Sequence, residues 1–235
     1  MNFLKKKIYR FLSSRKISRL IFIFYKIFGE KNHNSLGFDF TNKPSRLLVI
    51  SETLKRKNFS SYLEIGCFDN ELFDYIKVSD KVGVDPIKGG TVKLTSDEFF
   101  TINKKKFDCI WIDGLHTYKQ VKKDIINSLN SLNHGGIIFI HDCLPNNIDA
   151  QRRYRCTDNW NGDVWKALVE MRTNINLDIY TINADHGIGC ILKRKNTNLL
   201  KINTTNFNKL KFKDFFYNHK SLMNIIEYND FLKKF

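Results

Sequence analysis

The chain has 235 residues, with 39 Lys and Arg against 24 Asp and Glu and a formal charge of +15. That length suits one large domain with appendages, and the charge draws anionic partners (nucleic acid, lipid head groups, nucleotide or sugar phosphates) without choosing among them. Cys67, Cys109, Cys143, Cys156 and Cys190 are odd in number, form no C-x-x-C pair and mostly sit in apolar runs, which argues against a disulfide framework and for a reducing, cytoplasmic setting.

Residues 3–28 interleave Lys5, Lys6, Lys7, Arg10, Arg15, Lys16, Arg19 and Lys26 with Phe3, Leu4, Ile8, Phe11, Leu12, Ile17 and Leu20, the pattern of a basic amphipathic helix. The apolar stretch from Leu20 to Tyr25 is far too short to span a bilayer, and no small-residue cleavage site follows it. Two readings stand: peripheral docking on an anionic membrane face, or packing on its own domain or on a second copy in a homo-oligomer.

Residues 30–43 lack periodicity and connect to a helix near 44–57. Strands and helices then alternate. Strands are expected near 61–67, 81–85, 107–113 and 136–142, with helices near 70–76 and 118–132. Val121, Ile125, Leu129 and Leu132 keep helical spacing, and Asn133-His134-Gly135-Gly136 reads as the helix stop. A polar loop over 146–160 carries Arg152, Arg153 and Arg155, free to cover a crevice. A helix near 162–172 and strands near 177–182 and 189–193 follow, and 197–235 is a basic, Phe-rich tail with at least one helix near its end. The division expected is 1–43, a basic helix and linker; 44–196, the core; and 197–235, an extension packed on the core. This alternation predicts an α/β, doubly wound, mostly parallel sheet with helices on both faces, since there are too few strand-helix units to close a barrel.

Three apolar runs end in acids or imidazoles: Glu64 in Tyr62–Gly66, Asp113 and His116 in Ile110–His116, and His141-Asp142 in Ile137–Asp142. Buried parallel strands read as continuous apolar runs and an open sheet binds ligands beyond their carboxyl ends, so these charges converge on one crevice. Glu64-Ile65-Gly66 followed by Asp69-Asn70 fits a loop that approaches a ligand closely, and Asp85, about twenty residues on, suits ribose hydroxyls.

Tyr62–Phe68, Val82–Pro86, Phe107–Tyr118, Gly135–Pro145 and Trp160–Lys166 together resemble the class I S-adenosylmethionine-dependent methyltransferases, in the bacterial branch of sugar and macrolide O-methyltransferases. The resemblance runs from about Pro44 to Lys195. It implies a Rossmann-like seven-stranded sheet, with S-adenosylmethionine bordered by Glu64 and Gly66, held at the ribose by Asp85, flanked at the adenine by Ser96 and Asp97, and touched by Asp113. One departure is Asn70, where the wider class continues to a further glycine; Asn also tolerates left-handed geometry.

The reacting centre falls at Asp113, His116, His141 and Asp142. A hydroxyl acceptor needs a base or a cation that acidifies it, and both devices are present: His116 or His141 as base with Asp113 beside them, and Asp113 with Asp142 as candidate ligands for Mg²⁺. Blander roles remain open, with Asp113 orienting the cofactor, His141 bonding a loop, Ser96 and Asp97 capping a helix, and Trp160 and Trp165 packing rather than forming a wall against a sugar. Asp185-His186-Gly187 resembles a turn between the last two strands where some members place substrate-facing groups. The acceptor implied is a small molecule or sugar, phosphorylated in the nucleotide- or lipid-linked case, with a phosphate gripped by the arginines of the polar loop. A nucleic-acid methyltransferase is the first alternative, but no nucleic-acid partner is expected because basic residues cluster at the termini. A non-catalytic membrane-surface or assembly protein is the second.

Overall fold

Short runs rich in branched residues form strands, and the computed structural model, which describes residues 15–31 and 34–234, lays them side by side. In chain order the described residues form α1 (Arg15–Phe28), α2 (Arg46–Arg56), β1 (Ser61–Ile65), β2 (Asp80–Val84), α3 (Ser96–Ile102), β3 (Phe107–Ile112), α4 (Tyr118–Asn130), β4 (Leu132–Ile140), α5 (Trp165–Met171), β5 (Asp178–Ile182), β6 (Ile188–Leu192), α6 (Phe212–Met223), β7 (Ile225–Ile226) and α7 (Tyr228–Leu232). Of the basic helix expected over 3–28, residues 3–14 lie outside the described residues.

The strands form one seven-stranded sheet in the order β2-β1-β3-β4-β6-β5-β7. From β2 to β4 the strands are parallel, β6 is antiparallel to both neighbours, and β5 pairs parallel with β7. Side-chain alternation feeds two cores. Leu63, Ile65, Ile110, Ile112, Ile138 and Ile140 pack with α4, α5 and α6 through Val121, Ile125, Trp165, Leu168, Phe212 and Phe215. Tyr62, Cys109, Trp111, Ile137 and Phe139 pack on the other face with Val49, Ile50 and Leu54 of α2 and Phe231 of α7. With both faces covered, each inner strand needs apolar residues throughout. The doubly wound, Rossmann-like fold expected from the sequence is the one observed.

At the amino edge the Asp108 carboxylate accepts from the Ser60 and Ser61 amides, the Ser61 hydroxyl and the Asn133 carboxamide. It fastens β1 and β3 to the start of β4. That explains one correction. Asn133–Gly136 is the opening of β4 and not a helix stop; α4 ends with the Ser131 amide donating to the Asn127 and Ser128 carbonyls. Gly135, at φ 74°, accompanies the register shift between Phe107 and Cys109, and a Cβ on Gly136 would sit 2.7 Å from the Asp108 carbonyl oxygen. These glycines let two strands cross closely.

The helix expected over 70–76 is only a 3-10 turn at Phe73–Tyr75. Phe68 and Asn70 are left-handed, at φ 45° and 64°, and Ile76 is already extended, so too few helical residues remain. The helix expected near 162–172 begins at Trp165, after Gly162 at φ 65°. In the 146–160 loop Arg152 is buried, stacked on the Tyr25 ring and paired with Asp149, which rules out a solvated position for it. β7 was not expected; it follows Asn224, whose left-handed backbone closes α6.

The Phe231 ring is fully buried, its centroid 5.9 Å from that of Phe139. Phe231→Ala will lower unfolding free energy by about 3–5 kcal/mol in urea titration. A loss below ~1 kcal/mol would mean that α7 does not hold this face of the sheet.

Candidate active site

Sheet hydrogen bonding continues one residue past each strand. The Gly66 amide donates to the Val84 carbonyl at 2.9 Å, the Asp113 amide to Ile65 at 2.8 Å and the His141 amide to Ile112 at 3.0 Å. Residues just beyond β1, β3 and β4 are therefore as firmly placed as the strands. Gly66, at φ 89°, is obligatory, because a Cβ there would run into the Asp113 carbonyl.

Glu64 is buried beneath this loop and its Oε2 accepts from the Tyr62 hydroxyl at 2.6 Å. Burial lifts its carboxyl to about 7; the Tyr62 bond opposes that lift and the nearby Asp113 charge adds to it. Asp85 accepts from the Phe68 amide at 3.0 Å and from the Ile87 and Lys88 amides at 2.8 and 2.9 Å, so it ties the loops after β1 and β2 together. Asn70 takes the left-handed geometry that a glycine would, and its side chain accepts from the Gly90 amide at 2.7 Å.

Ser96 and Asp97 occupy the first turn of α3, but the cap is Thr95 in a capping box with Glu98. Gln120 donates to Ser96 at 3.2 Å and to Asp97 at 3.0 Å, and Lys123 pairs with Asp97 at 2.7 Å.

Beyond β3 and β4 four side chains meet. His116 Nε2 lies 3.2 Å from Asp113 and its Nδ1 3.1 Å from Asp142; His141 Nδ1 lies 3.3 Å from Asp113 and 3.5 Å from Asp142. Two residues from elsewhere complete the group. Asp185, in the turn between β5 and β6, lies 3.1 Å from His141 Nε2. Arg46, in the first turn of α2, reaches Asp113 at 3.3 Å, Asp185 at 3.6 Å and His141 Nδ1 at 3.4 Å. Three carboxylates thus face three cationic groups.

Burial disfavours every charge here, and the partners overrule it. The His141 imidazolium and hydrogen bonds from both imidazoles hold Asp113 far below the usual carboxylate range; His141 and Arg46 bring Asp185 to about 2. The same carboxylates raise His116 above the ordinary 6.5 and His141 well above it. Both rings therefore favour the imidazolium form more than a free imidazole does, His141 the more strongly.

The segment 160–163 clamps the site. The Trp160 ring stacks on His116 with centroids 4.7 Å apart, Asn161 donates to Asp142 at 2.9 Å, and Asp163 accepts from the Tyr118 amide at 2.6 Å at the start of α4. Trp165 instead is fully buried in the core, as in its packing reading. Asp142 is left-handed at φ 62°, an uncommon state for a residue with a Cβ, and is held there by these contacts.

Asp113, His141 and Asp142 present ligand atoms within 4.8 Å of one another. Two carboxylate oxygens and one imidazole nitrogen fit a divalent cation once the ring is neutral. The sequence suggested a carboxylate pair plus an imidazole as a ligand set, and assigned Asp113 and Asp142 as ligands with His116 or His141 as the base. It gave no sign of Arg46 or of the bond between Asn161 and Asp142. The Asp185 turn was noted as a resemblance, though its partnership with His141 had no local signal.

A methyltransferase-domain family profile matches residues 48–143, from α2 to the His141-Asp142-Cys143 turn. No curated protein matches the chain. Among solved structures, cofactor-bound Rv0187 from MTB is similar at 13% identity and TM-score 0.49, over 76% of this chain and 97% of that one. The S-adenosylhomocysteine-bound Podospora anserina methyltransferase PaMTH1 gives 15%, 0.48, 78% and 97%. The Bacillus cereus O-methyltransferase with S-adenosylhomocysteine gives 9%, 0.46, 78% and 96%.

Groups with raised folded-state pKa stabilise fully below their unfolded value, and that stability fades as pH rises through the folded value. Metal-free protein will lose thermal stability as pH climbs above the ordinary imidazole value of 6.5, and ring-proton titration will place His116 and His141 above it. Rings titrating below 6.5 would contradict the charge pairing. Gly162→Ala drives a Cβ into the His116 carbonyl at a positive φ; it will cost about 2 kcal/mol or more, read by urea denaturation.

Proposed function

We propose that this chain, whose residues 48–143 match a methyltransferase-domain family profile, is a class I S-adenosylmethionine-dependent methyltransferase that methylates a hydroxyl oxygen of a carbohydrate with assistance from a divalent cation. One observation carries the reading: Asp113, His116, His141 and Asp142 meet beyond adjacent parallel strands, next to the Gly66 loop. An open α/β sheet binds its ligands at that edge.

The donor brings an electrophilic methyl on a sulfonium, so the chain must place an acceptor oxygen in line and accept its proton. In this reading Glu64 and Gly66 border the methionine part. A carboxyl lifted to about 7 by burial responds strongly to a ligand ammonium or sulfonium, which draws it back to the charged form. Asp85 shapes the loop with its backbone bonds and offers its remaining lone pair to the ribose. Ser96 and Asp97, oriented by Gln120, flank the adenine, and Asp113 stands between cofactor and acceptor.

Asp113, Asp142 and neutral His141 would hold the cation, which when bound makes an acceptor hydroxyl more acidic. Asp185, at the other ring nitrogen, keeps the His141 ring oriented. His116 is the more exposed of the two imidazoles, with 17% of its side chain open against 6% for His141. It takes the acceptor proton, its plane fixed by Trp160.

The carbohydrate class rests on the resemblance carried by the Ile112–His116 and His141–Pro145 runs. Within the loop, Arg152 is buried and Arg153 is tied to Asp163. Arg155 is exposed, and to it we assign a phosphate of a nucleotide-linked or lipid-linked sugar.

His116→Asn will lower kcat by about 10²–10⁴ toward nucleotide sugars or sugar phosphates while S-adenosylhomocysteine affinity by calorimetry stays near wild type. Because the His116 pKa is raised, the wild-type rate will climb with pH along a limb above 6.5, and added Mg²⁺ will move that limb down. A variant that turns over like wild type removes His116 from the chemistry; failure of every sugar acceptor removes the substrate class.

A further inference from the structure

Helix α1 rests on the domain along one flank and at one end. The Arg152 guanidinium lies 4.4 Å from the Tyr25 ring centroid, Lys26 pairs with Asp149 at 3.2 Å, and the Glu30 carboxylate accepts from the Phe212 and Lys213 amides at 2.9 and 2.7 Å. An acid at the start of α6 is a favourable anchor for the end of α1.

The opposite flank has no partner among the described residues. Leu20, Ile23, Phe24, Ile27 and Phe28 recur at i, i+3, i+4, i+7 and i+8, and each is at least half exposed. They form one stripe along the helix, with the Phe24 and Phe28 rings 5.1 Å apart. A monomer exposes scattered apolar residues freely, whereas a continuous stripe marks a contact surface.

Charge selects what covers it. Before Glu30 the chain has eight Lys or Arg and no acid, and α6, joined to the end of α1 through Glu30, adds Lys213 and Lys220 against Asp214. A second copy would bring together two such segments, each with eight Lys or Arg and no acid before Glu30, among which Lys26 pairs with Asp149. No helix among the described residues is long and apolar enough to cross a membrane. Bulky apolar side chains on one face of a helix in a basic stretch of sequence suit a helix lying in the head-group layer of an anionic bilayer.

We propose that α1 docks this protein on an anionic lipid surface by burying the Leu20–Phe28 stripe among the acyl chains while the basic residues of the same stretch of sequence engage lipid phosphates. The docked helix is joined to the active site through the loop beneath it. Arg152 supports Tyr25 from below, and its carbonyl accepts from the Trp160 indole, whose ring covers His116.

The test is sedimentation of the full chain with phosphatidylcholine vesicles, with and without phosphatidylglycerol. It needs no methyl acceptor, so it stands or falls apart from the proposed activity. The chain will pellet with the anionic vesicles and be released by high salt. Leu20→Ser, Phe24→Ser and Phe28→Ser together will weaken binding on the order of tenfold or more, with an unchanged circular dichroism spectrum expected because all three side chains are exposed. Wild-type protein that stays in solution with anionic vesicles overturns the proposal. So does a triple variant that pellets like wild type, or a soluble dimer that the triple variant dissolves and vesicles do not.

Discussion

Asp113, Asp142 and Asp185 crowd into a space largely closed to water with Arg46, His116 and His141 interleaved among them, and these partners hold the Asp113 and Asp185 carboxyls below the ordinary range against the cost of burial. Buried charges persist when each has a partner, and removing one partner strands the other. Each imidazole spans two carboxylates through its two nitrogens, which neither neutral tautomer can do as a donor at both. The local structure is therefore bound to its protonation state. Repacking the side chains would not relieve that dependence, since the backbone positions are fixed by sheet hydrogen bonds that extend past the strand ends.

Strain is concentrated where those bonds stop. Asp142, Asp185 and His186 are all left-handed, at φ 62°, 37° and 60°, and the two turns they occupy are cross-linked by the Cys143 amide to the Gly187 carbonyl and the Leu144 amide to the His186 carbonyl. Such backbone persists only when its surroundings over-determine it. Here the surroundings are the Asn161 bond to Asp142 and the Arg46 amide bond to Asp185. The clamp segment and the first turn of α2 thus act on the site through geometry as well as charge.

The central strands were legible because burial on both faces demands apolar runs, and the acids ending those runs stood out for the same reason. Asp113, His116, His141 and Asp142 were found together by that logic. Arg46 was not, because it arrives from a helix that precedes β1 and its partners follow far later in the chain. No local pattern encodes such a meeting. Gly135-Gly136 misled for a related reason. A glycine pair after a helical run ends a helix by local propensity, but the close crossing of β3 and β4 governs it here. The buried position of Arg152 depends likewise on α1 returning over the loop.

The charge balance also constrains how a divalent cation fits the proposed site. Three carboxylates against Arg46 and two imidazolium rings sum to zero; the same carboxylates against Arg46 and one divalent cation, with both rings neutral, also sum to zero. One cation is electrostatically equivalent to two protons, and ligation through His141 requires the proton on Nδ1 to leave. Cation affinity and the availability of His116 as a base are then coupled, because the His141 and His116 protons answer to the same carboxylates. A site built this way would be held by protons at low pH and become competent for both tasks as they depart, without any change in the sheet that carries it.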